Sequence, residues 1–199
     1  MRHLLLLAFE PAEAADLDAD LLARAEPISL ATMPPEVLAL TAGVDVQGDR
    51  LEMTSIGWTA DGAALVLAHE IAWGSPLDAA VWIELDDLLL RRFRHPNGGQ
   101  IGYDAALVDS GDGGTTDAVY AFCRPRIGRR IFALKGMAGF KRSTVTVSPQ
   151  KSGIRLQIVG VDAVKAQIIA RAPTPQMRYS DTLGPEWFAQ FTAERIQVK

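Results

Sequence analysis

Between Leu40 and Leu51 the chain reads Leu-Thr-Ala-Gly-Val-Asp-Val-Gln-Gly-Asp-Arg-Leu. This stretch constrains the fold more than any other. Apolar residues alternate up to Gln47, Gly48-Asp49 suits a tight hairpin turn, and Arg50 to Thr59 then runs back as a second strand. The two-residue strand period sets Val44 and Val46 on one face and Asp45 on the other. A carboxylate inside a central strand is costly without a partner or a metal, so Asp45 is either solvated at a strand end or one ligand of a metal site.

The pattern continues in the same style. Asp61-Gly62 marks a turn, and Ala63 to Trp73 is a third strand, which completes an antiparallel meander. Gly74-Ser75-Pro76 ends it. Asp78 to Arg92 carries Val81, Leu85, Leu88 and Leu89 at helical spacing. Ile101 to Val108 is a fourth strand, followed by the loop Asp109-Ser110-Gly111-Asp112-Gly113-Gly114 and a helix capped by Thr115 or Thr116 and running through Phe122. Arg130 to Lys135 is a fifth strand, 136–153 an exposed excursion, Ile154 to Val161 a sixth strand, and Asp162 to Ala172 a helix. Loop and a short helix, Pro185 to Ala193, close the chain.

A meander followed by β-α-β units predicts an α/β fold: a ribonuclease H-like (RNase H-like) mixed sheet with helices on both faces. Residues 40–199 are expected to form this domain, and 1–39, with a helix within Glu10 to Arg24 and breaks at Pro27, Pro34 and Pro35, an arm or linker lying against it.

A chain of 199 residues suits one domain of this size. Its net charge of −4 counts against a dedicated nucleic-acid module with a global basic field and leaves room for a local basic groove. A single cysteine, Cys123, excludes an internal disulfide and a cysteine zinc cage, and beside Phe122 it reads as a small buried hydrophobe. The run Leu4 to Phe9 is too short to span a bilayer and is followed by acidic residues instead of a cleavage site, so neither a signal peptide nor a membrane partner is expected. No Gly-x-x-x-x-Gly-Lys-Ser/Thr pattern occurs, which argues against an autonomous P-loop ATPase.

In the expected topology Asp45 and Asp109 sit on neighbouring strands and converge at one edge of the sheet. Carboxylates around two Mg²⁺ or Mn²⁺ ions are the apparatus of in-line phosphodiester hydrolysis; strand-end aspartates also serve as turn residues or caps. Asp112 reads as a turn residue, and Asp162 as an N-cap or, alternatively, a third ligand. His69-Glu70 reads as a cross-strand polar pair, and Trp58, Trp73, Trp82 and Trp187 as core packing, with Trp58 also able to line a groove. Arg124, Arg126, Arg129, Arg130, Lys135, Lys141, Arg142 and Lys151 form either a solvated surface or a phosphate-backbone track; for the track, Arg124, Lys135, Lys141, Arg142 and Lys151 are the candidates.

The residues also resemble a family. Leu40 to Gln47 with Asp49-Arg50-Leu51-Glu52 and Gly57-Trp58, then Ala106 to Gly111 followed by Ala118 to Arg124, are similar to the nuclease portion of lambda-type phage large terminase subunits (the GpA family). Ala133 to Gly136, Val159 to Lys165 and Phe188 to Glu194 continue the resemblance in order, over about residues 36–195. It implies a metal-dependent endonuclease that cuts concatemeric viral double-stranded DNA during packaging. Asp45 and Asp109 would be its catalytic, metal-binding carboxylates, Asp162 a candidate third ligand, and two Mg²⁺ or Mn²⁺ ions the cofactors. Further implications are the host cytoplasm as location and, as partners, the terminase small subunit, the portal and an ATPase motor region. The family's motor precedes the nuclease and has no counterpart in this sequence. The family also continues past the Thr-Ala-Glu motif into a helix bearing another acidic residue, whereas this sequence stops at Lys199, so a third ligand beyond Lys199 and a partial site are expected alternatives. Two other classes remain: a catalytically impaired DNA-binding or packaging-machine interaction module on the same fold, and half of a sugar-kinase or actin-like ATPase, for which the chain lacks room for a second comparable domain.

Overall fold

The computed structural model describes residues 11–150 and 153–193. The predicted meander is present: β1 (Ala39–Val46), β2 (Arg50–Trp58) and β3 (Ala64–Trp73) are joined by short turns and pair antiparallel in sequence. Gln47 donates its amide to the Arg50 carbonyl at 3.0 Å and closes the first hairpin around Gly48-Asp49. After α2 (Ala79–Leu90) and a three-residue β4 (Arg92–Arg94), the long strand β5 (Gln100–Asp109) returns to lie parallel to β1. Then come α3 (Thr116–Cys123), a 3-10 turn (Arg124–Arg129), β6 (Ile131–Met137), β7 (Val145–Pro149), β8 (Arg155–Gly160), α4 (Val161–Arg171), β9 (Met177–Tyr179) and α5 (Pro185–Ala193).

The sheet order is β7-β8-β6-β5-β1-β2-β3-β9, with β4 paired to β5. The meander therefore forms one half of the sheet, and the parallel strands β5, β6 and β8 extend it from β1, as the RNase H-like arrangement requires. Helices occupy both faces. On one face Ala42, Val44, Leu51, Met53, Ala106, Val108 and Ala133 pack against Val81, Trp82, Leu85 and Leu89 of α2 and Val119, Phe122 and Cys123 of α3. On the other, Ala64, Val66 and Tyr179 of β3 and β9 pack against Leu21 of α1 (Pro11–Ala23) and Phe188 of α5.

Residues 28–37 lie across the first face beyond α2. Ile28, Leu30, Met33 and Val37 are buried against Leu40, Leu65 and Leu67. Val37 presses so close to β2 that a Cβ at Gly57 would stand 3.0 Å from both Val37 Cγ1 and Leu67 Cδ1. Arg178 of β9 clamps the same segment through Glu26 (Nε to Oε1, 2.9 Å) and Glu36 (Nη1 to Oε1, 2.7 Å). These hydrogen bonds hold both carboxyls below, and the guanidinium above, their ordinary ranges.

Four local expectations need correction. The excursion 136–153 contains a strand, β7, hydrogen-bonded antiparallel to β8 at the edge of the sheet; with Val145 53% and Val147 52% exposed it has no buried face to read. The segment after α4 contains β9, three residues whose pairing with β3 is tertiary. Trp73 is 65% exposed under the Arg50 guanidinium rather than in the core. Gly160, not Asp162, is the N-cap of α4.

Candidate active site

β1 and β5 are parallel with Val44 opposite Val108, so Asp45 and Asp109 occupy the next position on each strand, side by side. Both are on the face opposite α2 and α3, since Val44 and Val108 point into that core and side chains alternate. Each strand runs out at this point, β1 at Val46 and β5 at Asp109, so the two carboxylates reach solvent.

Local contacts orient each of them. Asp45 Oδ2 accepts a hydrogen bond from the Gln47 side-chain amide, two residues on along the same face. Asp109 Oδ1 accepts the Gly111 amide at 3.0 Å, an Asx-type turn. A Cβ on Gly111 would come within 3.3 Å of that oxygen, so glycine there leaves the carboxylate its place. The loop behind is pinned: Ser110 sends its hydroxyl (2.7 Å) and its amide (2.8 Å) to the Leu134 carbonyl, and Thr116 Oγ1 donates to the Ser110 and Asp112 carbonyls. Asp112 bonds the Gly114 amide at 3.2 Å, a turn role.

The two aspartates line a cleft of about 520 Å³. Its sheet side also presents Glu52, Thr54 and His69, and its other wall is Trp187, Gln190 and Phe191 of α5. Glu52 is the cross-strand partner of Asp45, and His69 that of Thr54. Glu52 Oε1 takes Arg50 Nε at 2.6 Å, and its Oε2 lies 3.4 Å from His69 Nε2; the other ring nitrogen of His69 is 3.2 Å from Thr54 Oγ1. Burial pushes the His69 pKa below its ordinary 6.5 against the pull of Glu52 and Glu70, so the ring is neutral at pH 7.

Glu52 was within reach of the sequence. A two-residue turn at Gly48-Asp49 pairs Gln47 with Arg50 and Val46 with Leu51, and therefore Asp45 with Glu52. His69 depends on the next pairing, whose register shifts at Ser55/Ile56, and the α5 wall depends on tertiary packing alone. Its pairing with Thr54 and Glu52 makes His69 a cross-strand polar contact that also faces the cleft.

The remaining candidates lie elsewhere. Asp162 Oδ2 accepts the Gly139 amide at 2.7 Å, beyond β6 and β8, and does not line the cleft. Arg124, Lys135, Lys141 and Arg142 are exposed and also outside it; Arg142 Nε bonds the Ala138 carbonyl at 2.7 Å. Lys151 lies outside the described residues, as do the Leu4 to Phe9 run and Glu194. Arg126 and Arg129 are committed to Asp86 on α2 at 2.8 and 2.6 Å. Cys123 is buried and its thiol is pushed up to about 12 by burial, which leaves it inert at neutral pH.

Among the described residues no group of three or more His, Cys, Asp or Glu side chains is gathered tightly enough to hold a metal ion. The donor set still suits a hard divalent ion, because Mg²⁺ is commonly held by one or two carboxylates and completes its shell with water and substrate phosphate. The cleft lining includes three carboxylates and neither lysine nor arginine. By itself such a surface repels a phosphodiester, and a cation held by Asp45 and Asp109 would reverse that.

A family model described as the terminase large subunit gpA endonuclease domain matches residues 5–199. The terminase large subunit of Enterobacteria phage P21 is 28% identical over 178 residues, covering 83% of this chain and 27% of that protein. That of Escherichia phage lambda is 26% identical over 156 residues, covering 77% and 24%. The chain thus spans about a quarter of the length of these curated relatives. Among solved structures, T. thermophilus RuvC in complex with a Holliday junction substrate aligns with a TM-score of 0.33 and 16% identity over 48% of this chain and 65% of that one. The yeast mitochondrial Holliday junction resolvase Ydc2 aligns with a TM-score of 0.36 and 10% identity over 90% and 94%. By the family match, the chain belongs to the endonuclease-domain family of the gpA terminase large subunit.

Proposed function

We propose that this domain is the metal-dependent endonuclease of a phage DNA-packaging terminase, hydrolysing phosphodiester bonds of concatemeric viral double-stranded DNA. The observation that carries the reading is the pairing of Asp45 with Asp109 at the ends of adjacent parallel strands, open to a cleft, in a chain of the gpA endonuclease family. Asp45 and Asp109 would hold two Mg²⁺ or Mn²⁺ ions between them; Asp162, bonded to Gly139 away from the cleft, is given no part in that pair. When bound, such ions supply Lewis acidity at the scissile phosphate and favour ionisation of an attacking water.

The chain's own residues do the positioning. Gln47 and the Gly111 amide each occupy one oxygen of their aspartate, which restrains how the carboxylate turns. Arg50 and His69 draw Glu52 to one side, so that it adds negative potential near Asp45 without crowding it. Exposed Arg124, Lys135, Lys141 and Arg142 would take DNA phosphates beyond the cleft, a salt-dependent contribution without sequence preference. In the host cytoplasm the partners would be the ATPase motor region, the terminase small subunit and the portal. Among the described residues no helix is long and apolar enough to cross a membrane.

One observation favours a second reading. The lack of a three-ligand group among the described residues suits a module that keeps the fold and binds DNA or the packaging machine with impaired chemistry. Nicking of supercoiled plasmid in Mn²⁺ separates the two. The nuclease reading expects cleavage that stops with chelator and falls more than about a hundred-fold in Asp45→Ala, beyond the loss typical of an outer-shell residue. DNA retardation without nicking, or nicking unchanged in Asp45→Ala, supports the module instead.

A further inference from the structure

We infer that Trp187 and Phe191 on α5 form a stacking shelf for a nucleobase, so that the cleft takes a single or locally unpaired DNA strand in preference to intact duplex. This rests on the nuclease reading of Asp45 and Asp109 and adds to it the state of the DNA at the moment of cutting.

The two walls of the cleft differ in chemistry. The sheet wall carries the carboxylates, and the α5 wall carries two aromatic rings one helical turn apart, stacked with centroids 5.0 Å apart and planes 11° from parallel. Both rings pack at the rim of the α5 core, 6.1 and 6.2 Å from Tyr179, and each keeps an exposed part. Phe188, between them in sequence, is fully buried and lies nearest to Tyr179, at 5.5 Å. Trp187 and Phe191 are only half-buried, and they border the cleft that holds Asp45 and Asp109. Gln190, the residue before Phe191, also lines the cleft and carries an amide able to pair with a base edge. Opposite, Gly43 has no side chain, and a Cβ there would meet nothing within 4 Å, so the floor beside Asp45 stays open.

A phosphodiester between the aspartates would share the cleft with this flat apolar surface. Every base has a π-face, so stacking there is tolerant of sequence. The volume, about 520 Å³, is that of a small-molecule site and enough for a nucleotide. A base can reach the shelf only after leaving its own stack, which a single strand or an opened duplex allows at low cost.

The test uses the full chain in Ca²⁺, which carboxylates bind, with fluorescently labelled oligothymidylate and a hairpin duplex as probes. We expect oligothymidylate to bind at least about ten-fold tighter than the hairpin, and Trp187→Leu and Phe191→Leu each to weaken it about ten-fold, the scale of one stacked base. Trp187→Phe, which keeps a ring, should bind within about two-fold of the parent. Photocrosslinking of 5-bromouracil-substituted oligonucleotide to the unaltered chain should map to the α5 peptide, a readout that does not depend on any variant folding. Equal binding of strand and hairpin, leucine variants that bind like the parent, or crosslinks that map only away from α5 overturn the shelf. Failure of the nuclease reading appears separately, as plasmid nicking that survives Asp45→Ala.

Discussion

Asp45 and Asp109 stand side by side, one residue beyond the Val44–Val108 pair of two parallel strands, β1 starting at Ala39 and β5 at Gln100, that are joined only through the rest of the meander, α2 and β4. Their backbone is held by the sheet and their side chains project from its open face, so the pair belongs to the rigid part of the molecule.

Neutralising either carboxylate should therefore separate activity from stability. Asp45 faces Glu52 across the β1–β2 ladder, and like charges directly opposite each other are destabilising. Asp45→Asn is expected to abolish Mn²⁺-dependent nicking while leaving stability unchanged or raised by up to about 0.5 kcal/mol. Denaturant titration alongside the plasmid assay checks both halves.

Gly57→Ala is expected to do the reverse. The new methyl would meet Val37 and Leu67 at 3.0 Å inside a closed cluster, and overpacking of this kind costs about 1–3 kcal/mol. The midpoint of urea unfolding should fall, with the cleft residues untouched.

How much of this is legible in the sequence depends on which forces set each element. The meander and β5 are readable because alternation and turn chemistry agree, and the same alternation turns Asp45 and Asp109 to the face opposite α2 and α3. β7 is not, since it sits at an edge with Val145 and Val147 exposed and has only its hydrogen bonds to β8 to define it. Trp73 misleads because a tryptophan at a strand end can be covered by an arginine, here Arg50, instead of a core. The cleft was half visible. Its sheet wall follows from strand register, while Trp187 and Phe191 reach it only through the docking of α5 on Tyr179.

Acid should destabilise the fold through Asp86. Its carboxyl is held below the ordinary carboxylate range first by the hydrogen bond from Arg126 and then, against the cost of burial, by that from Arg129. A depressed pKa contributes stability that is present above the unfolded value, about 3.9, and is lost as pH falls through the lower folded value. Asp86→Ala should lower stability at pH 7 by about 1–2 kcal/mol and flatten the acid limb of the unfolding profile below about pH 4. Thermal melts from pH 7 to 3 measure it.

His69 predicts a second, milder window. Burial lowers its pKa, so the folded chain holds the ring neutral while the unfolded chain takes up a proton near 6.5. Stability should decline as pH falls below about 6.5 and level off beneath the folded pKa. His69→Gln, which keeps a polar contact with Thr54, should remove that decline and leave the Asp86 limb in place.

The most direct test of the central claim is anomalous scattering from crystals soaked in Mn²⁺. The account predicts two peaks about 4 Å apart between the Asp45 and Asp109 carboxylates. Manganese at Asp162 with none at this pair, at a concentration that supports plasmid nicking, would contradict it.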